Sequence, residues 1–296
     1  MATSFRDELR ETFRNGDTLN ILLLTNIGLI LLLYILDAVT GLFRIEKFGT
    51  QTLAGILVVP GTFGQLIVRP WSIITYQFLH TNFFHILFNM LFLFWMGKIF
   101  VEYLGMKKLF STYIIGGIIG AFFFIVAYRV FPLFQKDPAP PMLGASASIM
   151  AITFAIAAYV PDYIVRIALV GNVRLKYIAL ICVILDLMQL SGSNAGGHFA
   201  HLGGAVYGYI YAMNLKRGKN IASWFDRIAD GIKNLFARRK MKVVKKARPL
   251  SDDEYLHNKK VSQERIDSIL DKISRSGYGS LTAEEREMLF NYSNKK

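Results

Sequence analysis

Residues 80–89 read HTNFFHILFN. Two histidines and an asparagine interrupt a segment that is otherwise apolar, and the apolar run continues through MLFLFWMG at 90–97. A polar side chain in hydrocarbon is costly and is retained for function by default. The reading therefore turns on whether this stretch lies in a membrane. His85 and Asn89 are four residues apart and share one helix face. His80 sits a turn earlier, near the mouth of the same helix.

The surrounding chain answers in favour of a membrane. Of its 296 residues, 53% are hydrophobic, and the mean hydropathy is +0.37, more apolar than a soluble domain of this size. Six runs have the length and composition of spans: roughly 19–42, 84–104, 109–131, 145–160, 175–191 and 199–215. A span needs about 20 residues. The fourth and fifth runs are near the lower limit, which suggests a locally thinned bilayer or helices buried within a bundle. The expected fold class is all-α: a polytopic six-transmembrane-helix bundle with a small helical C-terminal tail. The opening MATSFRDELRETFRNGDTLN mixes acids with bases and precedes a run long enough to span, so it reads as a lead into a retained helix rather than a signal peptide. The single cysteine, Cys182, cannot form an internal disulfide and reads as core filler.

Net charge is +13, and more than half of the 34 Lys+Arg fall from Lys216 onward. Lys107 and Lys108 follow the second span, and Arg166, Arg174 and Lys176 lie between the fourth and fifth. The loop between the fifth and sixth carries no basic residue. The positive-inside rule then places both termini in the cytoplasm, as six spans require. Arg44, Lys47 and Arg69 in the first loop run against this, but long loops weigh less in the rule. The expected location is a cell membrane of bacterial inner-membrane type.

Three segments follow: a cytoplasmic lead at 1–18, the membrane domain at 19–215 and a basic cytoplasmic tail at 216–296. The first loop, 43–83, contains LAGILVVPGTFGQLIVRPW, too apolar for a solvated loop. It is expected to lie in the membrane interface with Trp71 as an anchor. Residues 133–143, LFQKDPAPPML, cannot be helical throughout. In the tail, residues 222–239 place Trp224, Phe225, Ile228, Ile232, Leu235 and Phe236 at helical spacing, an interfacial amphipathic helix by pattern. KMKVVKKARP reads as a patch beside anionic lipid, so the expected partners there are membrane lipids, with no nucleic acid. Two short helical patterns end the chain, SQERIDSILDKISRSG and TAEEREMLFNYS, with Thr282 and Glu285 at capping-box spacing.

Two further segments carry polar groups into the spans. The fourth begins GASAS, so Gly144, Ala145, Ser146, Ala147 and Ser148 are all small and leave a hydroxyl uncrowded. The sixth reads GGHFAHLGGAVYGY, where Ala200, Gly204 and Gly208 recur every four residues, the small-xxx-small pattern of close helix packing. His201 lies beside that seam. Close approach of the two helices allows a serine–histidine hydrogen bond, the arrangement of a nucleophile and its general base. Attack on a carbonyl makes an oxyanion that needs aimed donors. His85, Asn89 and the Ser146 backbone N–H can supply them. A membrane metal centre built on His80, His85, His198 and His201 is the competing reading. Glu102 and Asp186 are its nearest carboxylates, each on a different helix, and HExxH is absent.

Together these segments resemble the rhomboid family of intramembrane serine proteases. The H-x4-H-x3-N pattern is met by His80, His85 and Asn89, the G-x-S motif by Gly144 and Ser146, and A-H-x2-G-x3-G by Ala200, His201, Gly204 and Gly208. The family's usual residue after the serine is Gly, where this chain has Ala147. Trp71-Ser72 stands where many members have Trp-Arg. The resemblance covers roughly residues 15–215 and implies a Ser146–His201 dyad without a required acid. It assigns the oxyanion to His85 and Asn89, loop support to His80 and close helix approach to Gly204 and Gly208. It implies transmembrane protein substrates and no cofactor or metal. The SGSNAGGHF connection is flexible in composition and is expected to gate access, with His198 structural within it. An inactive rhomboid-like client-binding protein is the alternative that resemblance leaves open.

Overall fold

The computed structural model of the chain describes residues 17–45, 47–134, 140–167, 171–192, 194–236 and 252–293. Six helices form the body: α1 (Thr18–Gly41), α2 (Phe83–Leu104), α3 (Met106–Val130), α4 (Ser146–Tyr159), α5 (Leu175–Met188) and α6 (Ala195–Lys216). Each falls within a few residues of an expected span. The starts have local causes. Asp17 caps α1 by accepting from the Asn20 N–H at 3.2 Å. Asn82 caps α2 by accepting from the Phe84 and His85 N–H groups at 2.9 and 3.2 Å. Gly105, at φ 85°, makes the turn from α2 into α3.

Length divides these helices. α1, α2 and α3 are each long and apolar enough to cross a membrane alone. α4 and α5 have 14 residues each, about 21 Å at 1.5 Å per residue against a hydrocarbon core of about 30 Å. α4 tolerates this because protein surrounds it. From Ala147 to Ala157 every residue but Phe154 is buried, packed against α2, α3 and α6. α5 is different: Leu175, Ile178, Ala179 and Asp186 are its only buried residues.

The first loop is a layer of short helical turns rather than a coil: Phe48–Leu53, Ala54–Leu57, Phe63–Val68, Ser72–Thr75 and Tyr76–Phe78. Side chains tie the turns together, with Arg69 donating to the Gly55 carbonyl at 3.0 Å and Trp71 to Ile56 at 3.1 Å. Phe63, Ile67 and Val68 remain largely exposed. Deeper, the Tyr76 hydroxyl donates to the Gly117 carbonyl at 2.6 Å and the Tyr113 hydroxyl to the Gln77 carbonyl at 2.8 Å. The Ser148 hydroxyl completes this buried network on Gln77 at 3.1 Å. It fixes the end of the loop against α3 and α4.

One element departs from the all-helical expectation. β1 (Ile164–Ile167) and β2 (Gly171–Arg174) pair antiparallel in the α4–α5 connection. Beside this ribbon, Asp162 pairs with Lys176 at 2.7 Å and Arg174 at 3.2 Å. The two cations hold its carboxyl below the usual carboxylate range.

α7 (Ser223–Phe236) is the expected amphipathic helix. It belongs to the same compact unit as the six-helix body. Phe225 packs near Phe110, with ring centroids 6.0 Å apart, and Asp230 pairs with Lys107, while Trp224, Ile228 and Ile232 stay exposed. The second unit contains α8 (Asp252–Ser276) and α9 (Ala283–Ser293) around buried Ile266, Ile269 and Leu281. The capping box is formed: the Thr282 N–H donates to Glu285 at 2.8 Å and the Glu285 N–H to the Thr282 hydroxyl at 3.3 Å. The basic run KMKVVKKARP and residues 1–16 lie outside the described residues.

Candidate active site

Ser146 is the first residue of α4 and is half-buried. The chain reaches it through Gly144, whose φ of 119° is rarely open to an L side chain. A Cβ at Gly144 would also fall 2.7 Å from His85 Cε1, so the glycine lets the imidazole lie against the loop. The first loop holds this approach in place. The Gly144 N–H donates to the Tyr76 carbonyl at 2.9 Å, and Val59 and Met142 exchange backbone hydrogen bonds at 3.0 and 2.9 Å. The Ala145 N–H points at His80 Nε2 at 3.4 Å. Burial, with His85 adding to it, pushes the His80 imidazole down to about 3. It is therefore neutral at physiological pH, and Nε2 is free to accept.

α6 delivers His201. A Cβ at Gly204 would overlap the Ala147 carbonyl, and one at Gly208 the Ala151 carbonyl. The glycine stripe therefore lets the α6 backbone lie directly on α4, as small residues do in membrane helix pairs. His201, one turn before Gly204, then meets Ser146, with Nε2 2.7 Å from Oγ. Its Nδ1 is 2.8 Å from Asp186 Oδ1. The same oxygen lies 2.7 Å from His198 Nδ1. Asp186 is 6% exposed.

His85, Asn89, Ser146 and His201 line one cavity of about 870 Å3. Its walls are apolar, with Phe88 and Trp95 from α2, Met150 from α4, and Cys182 and Leu185 from α5. Asn89 Nδ2 donates to the His85 carbonyl at 2.9 Å, and an amide has a second N–H to offer. The site residues inferred from sequence are thus gathered at one end of the bundle: Ser146, His201, His85 and Asn89 around the cavity, His80 and Gly144 behind the Ser146 loop, and Gly204 and Gly208 in the seam.

Two features differ from the sequence reading. His198 is not in a mobile connection; it is buried in the first turn of α6, which begins at Ala195. Asp186, considered there only as a possible metal ligand, sits on His201. The four histidines do not form one cluster: among the described residues the one group of three metal-competent side chains is Asp186, His198 and His201, with ligand atoms within 4.8 Å of one another. His80 and His85 form a separate edge-to-face pair, ring centroids 5.1 Å apart.

The model of the Rhomboid domain family matches residues 68–218, about half of the chain, a stretch that holds α2 to α6 and every residue named around the cavity. The chain belongs to the rhomboid family. Presenilin-associated rhomboid-like protein A, mitochondrial, from Danio rerio is similar to it, 32% identical over 143 residues that make up 46% of this chain. The match spans only 35% of that relative's length. Residues 251–295, the α8–α9 unit, match a family of unknown function, DUF6576. Within the rhomboid fold the Ala147 departure has a physical accommodation. Gly120 of α3 faces it, and a Cβ at Gly120 would come 2.5 Å from the Ala147 methyl. The extra carbon beside Ser146 occupies space that Gly120 leaves open.

Proposed function

We propose that this rhomboid protein is an intramembrane serine endopeptidase that cuts transmembrane protein segments near the membrane surface. The observation that carries the reading is the 2.7 Å contact between Ser146 Oγ and His201 Nε2 on the wall of an otherwise apolar cavity. His201 Nε2 takes the hydroxyl proton as Ser146 attacks the scissile carbonyl, then gives it to the leaving amine. The side chains of His85 and Asn89 and the Ser146 N–H, unpaired within its helix at the first turn, stabilise the oxyanion. Water then hydrolyses the acyl-enzyme. The apolar walls between α2 and α5 suit an unwound apolar segment, and a small side chain fits beside Ala147 and Gly144. Lipids and membrane-protein substrates are the partners of this reading. Location in a bacterial-type inner membrane with both termini cytoplasmic completes it.

The test is cleavage of a model transmembrane substrate by purified protein, with and without chelator. Ser146→Ala and His201→Ala are each expected to lower kcat by roughly 10⁴-fold or more, and Asn89→Ala by about 10²–10³-fold. Chelator should change nothing. Full activity in Ser146→Ala, or loss on chelation, overturns the serine reading. Binding of a transmembrane client without cleavage by the wild type points instead to a client-binding rhomboid.

A further inference from the structure

Asp186 is the one acid buried in α5, and its surroundings are specific. After Ala179 no other residue of that helix is buried. Its Oδ1 lies 2.8 Å from His201 Nδ1 and 2.7 Å from His198 Nδ1, two imidazoles one turn apart on α6. A buried carboxylate without donors is strongly disfavoured, so this pairing is what allows an acid at that depth. It also assigns the ring protons. A carboxylate only accepts, so each histidine carries its proton on Nδ1. His201 Nε2 is then left to accept from the Ser146 hydroxyl.

We propose that Asp186 is the orienting acid of this site, completing a Ser146–His201–Asp186 triad in which His198 holds the carboxylate in register. The proposal rests on the serine-protease reading and departs from the acid-free dyad that the family resemblance implies. Asp186 fixes the His201 tautomer and stabilises the imidazolium that forms when His201 takes the Ser146 proton. His198 is not paired with Ser146. It acts through Asp186, donating to the same oxygen from the preceding turn and limiting rotation of the carboxylate. Both are positioning residues.

The test uses the full-length protein with 15N-labelled histidine and two readouts, the His201 tautomer by NMR and the split of cleavage between kcat and KM. Asp186→Asn should move the His201 proton from Nδ1 to Nε2, because the Asn amide can donate to Nδ1. It should cost about 100-fold or more in kcat, given the roughly 10⁴-fold loss for the equivalent change in a triad protease, with KM within about twofold. His198→Ala should give a smaller loss, and His198→Asn, which keeps an N–H near the Nδ1 position, should recover most of it. Asp186→Glu guards against a folding failure in the neutral variant: it keeps the charge and should retain Nδ1 protonation. An unchanged tautomer with kcat within about threefold of wild type in Asp186→Asn overturns the proposal and leaves the dyad standing. The tautomer readout needs no substrate. If the wild type cleaves nothing but its His201 proton still depends on Asp186, the protease reading falls and the acid–imidazole pairing survives.

Discussion

At the scale of single residues the site depends on atoms that are absent as much as on those present. Ser146 meets His201 because Gly204 and Gly208 have no Cβ to strike the α4 carbonyls, and His85 reaches the Ser146 loop because Gly144 has none either. Ala147 shows the converse, a methyl where the family pattern has none, accepted because α3 offers Gly120 opposite. Gly120→Ala should therefore be destabilising by overpacking, about 1–3 kcal/mol, since the new carbon also meets the Ala200 carbonyl at 2.9 Å. Ala147→Gly alone should cost about 0.5–1 kcal/mol in helix entropy. The double variant should be less destabilised than the sum of the two, because the methyl–methyl overlap is gone. Thermal inactivation of the four proteins in detergent measures the coupling. Strict additivity would mean that the two positions do not share that space. Gly144, Ser146, Ala147, His201, Gly204 and Gly208 were singled out from spacing and motif; Gly120 was not. Nor was the role of Asp186, because a lone acid among ALICVILDLM gives no sign of which histidine it will meet 12 or 15 residues later.

At the scale of elements, α4 and α5 have equal length but differ in how they are held. α4 is enclosed by three helices, whereas α5 packs through Leu175, Ile178 and Ala179 at one end and through Asp186 at the other. With no hydrophobic force between helices in lipid, packing and polar contacts do the holding. The Asp186 contacts thus anchor the half of α5 that forms one cavity wall. Asp186→Ala should raise amide hydrogen exchange around residues 182–188 at least several-fold and leave α4 unchanged, as expected of a local opening. Equal exchange in wild type and variant would show that other contacts hold α5. The ends of the long helices were legible because runs of Leu, Ile and Phe flanked by polar caps mark them. The start of α6 was not. AGG has poor helix propensity, yet the helix begins there because Gly196 packs onto Phe124 and Tyr128, where a Cβ would collide. The β1–β2 ribbon was missed for a related reason: four-residue strands leave almost no periodic signal.

Across the whole molecule, basic residues gather toward one end of the bundle, with Arg129 at the other, in the last turn of α3. The site residues lie at the starts of α2, α4 and α6 and near the end of α5. At the opposite end stand Lys107, Lys108, Arg174, Lys176 and Lys216. The first loop, at the site end, carries Arg44, Lys47 and Arg69 and looked like an exception to the positive-inside pattern. Arg69 keeps its charge but is held within the loop, its guanidinium donating to the Gly55 carbonyl, and long loops weigh less in the rule. The basic end is therefore expected in the cytoplasm and the cavity mouth on the other side. Reporter fusions check this directly. Fusions after Phe236 and at Lys296 should fold in the cytoplasm, and an insertion at Gly192, in the short α5–α6 connection beside the site, should report from the opposite side. Both sets reporting from one side would mean that α6, the one bundle helix between Gly192 and Phe236, does not cross, and would overturn this arrangement.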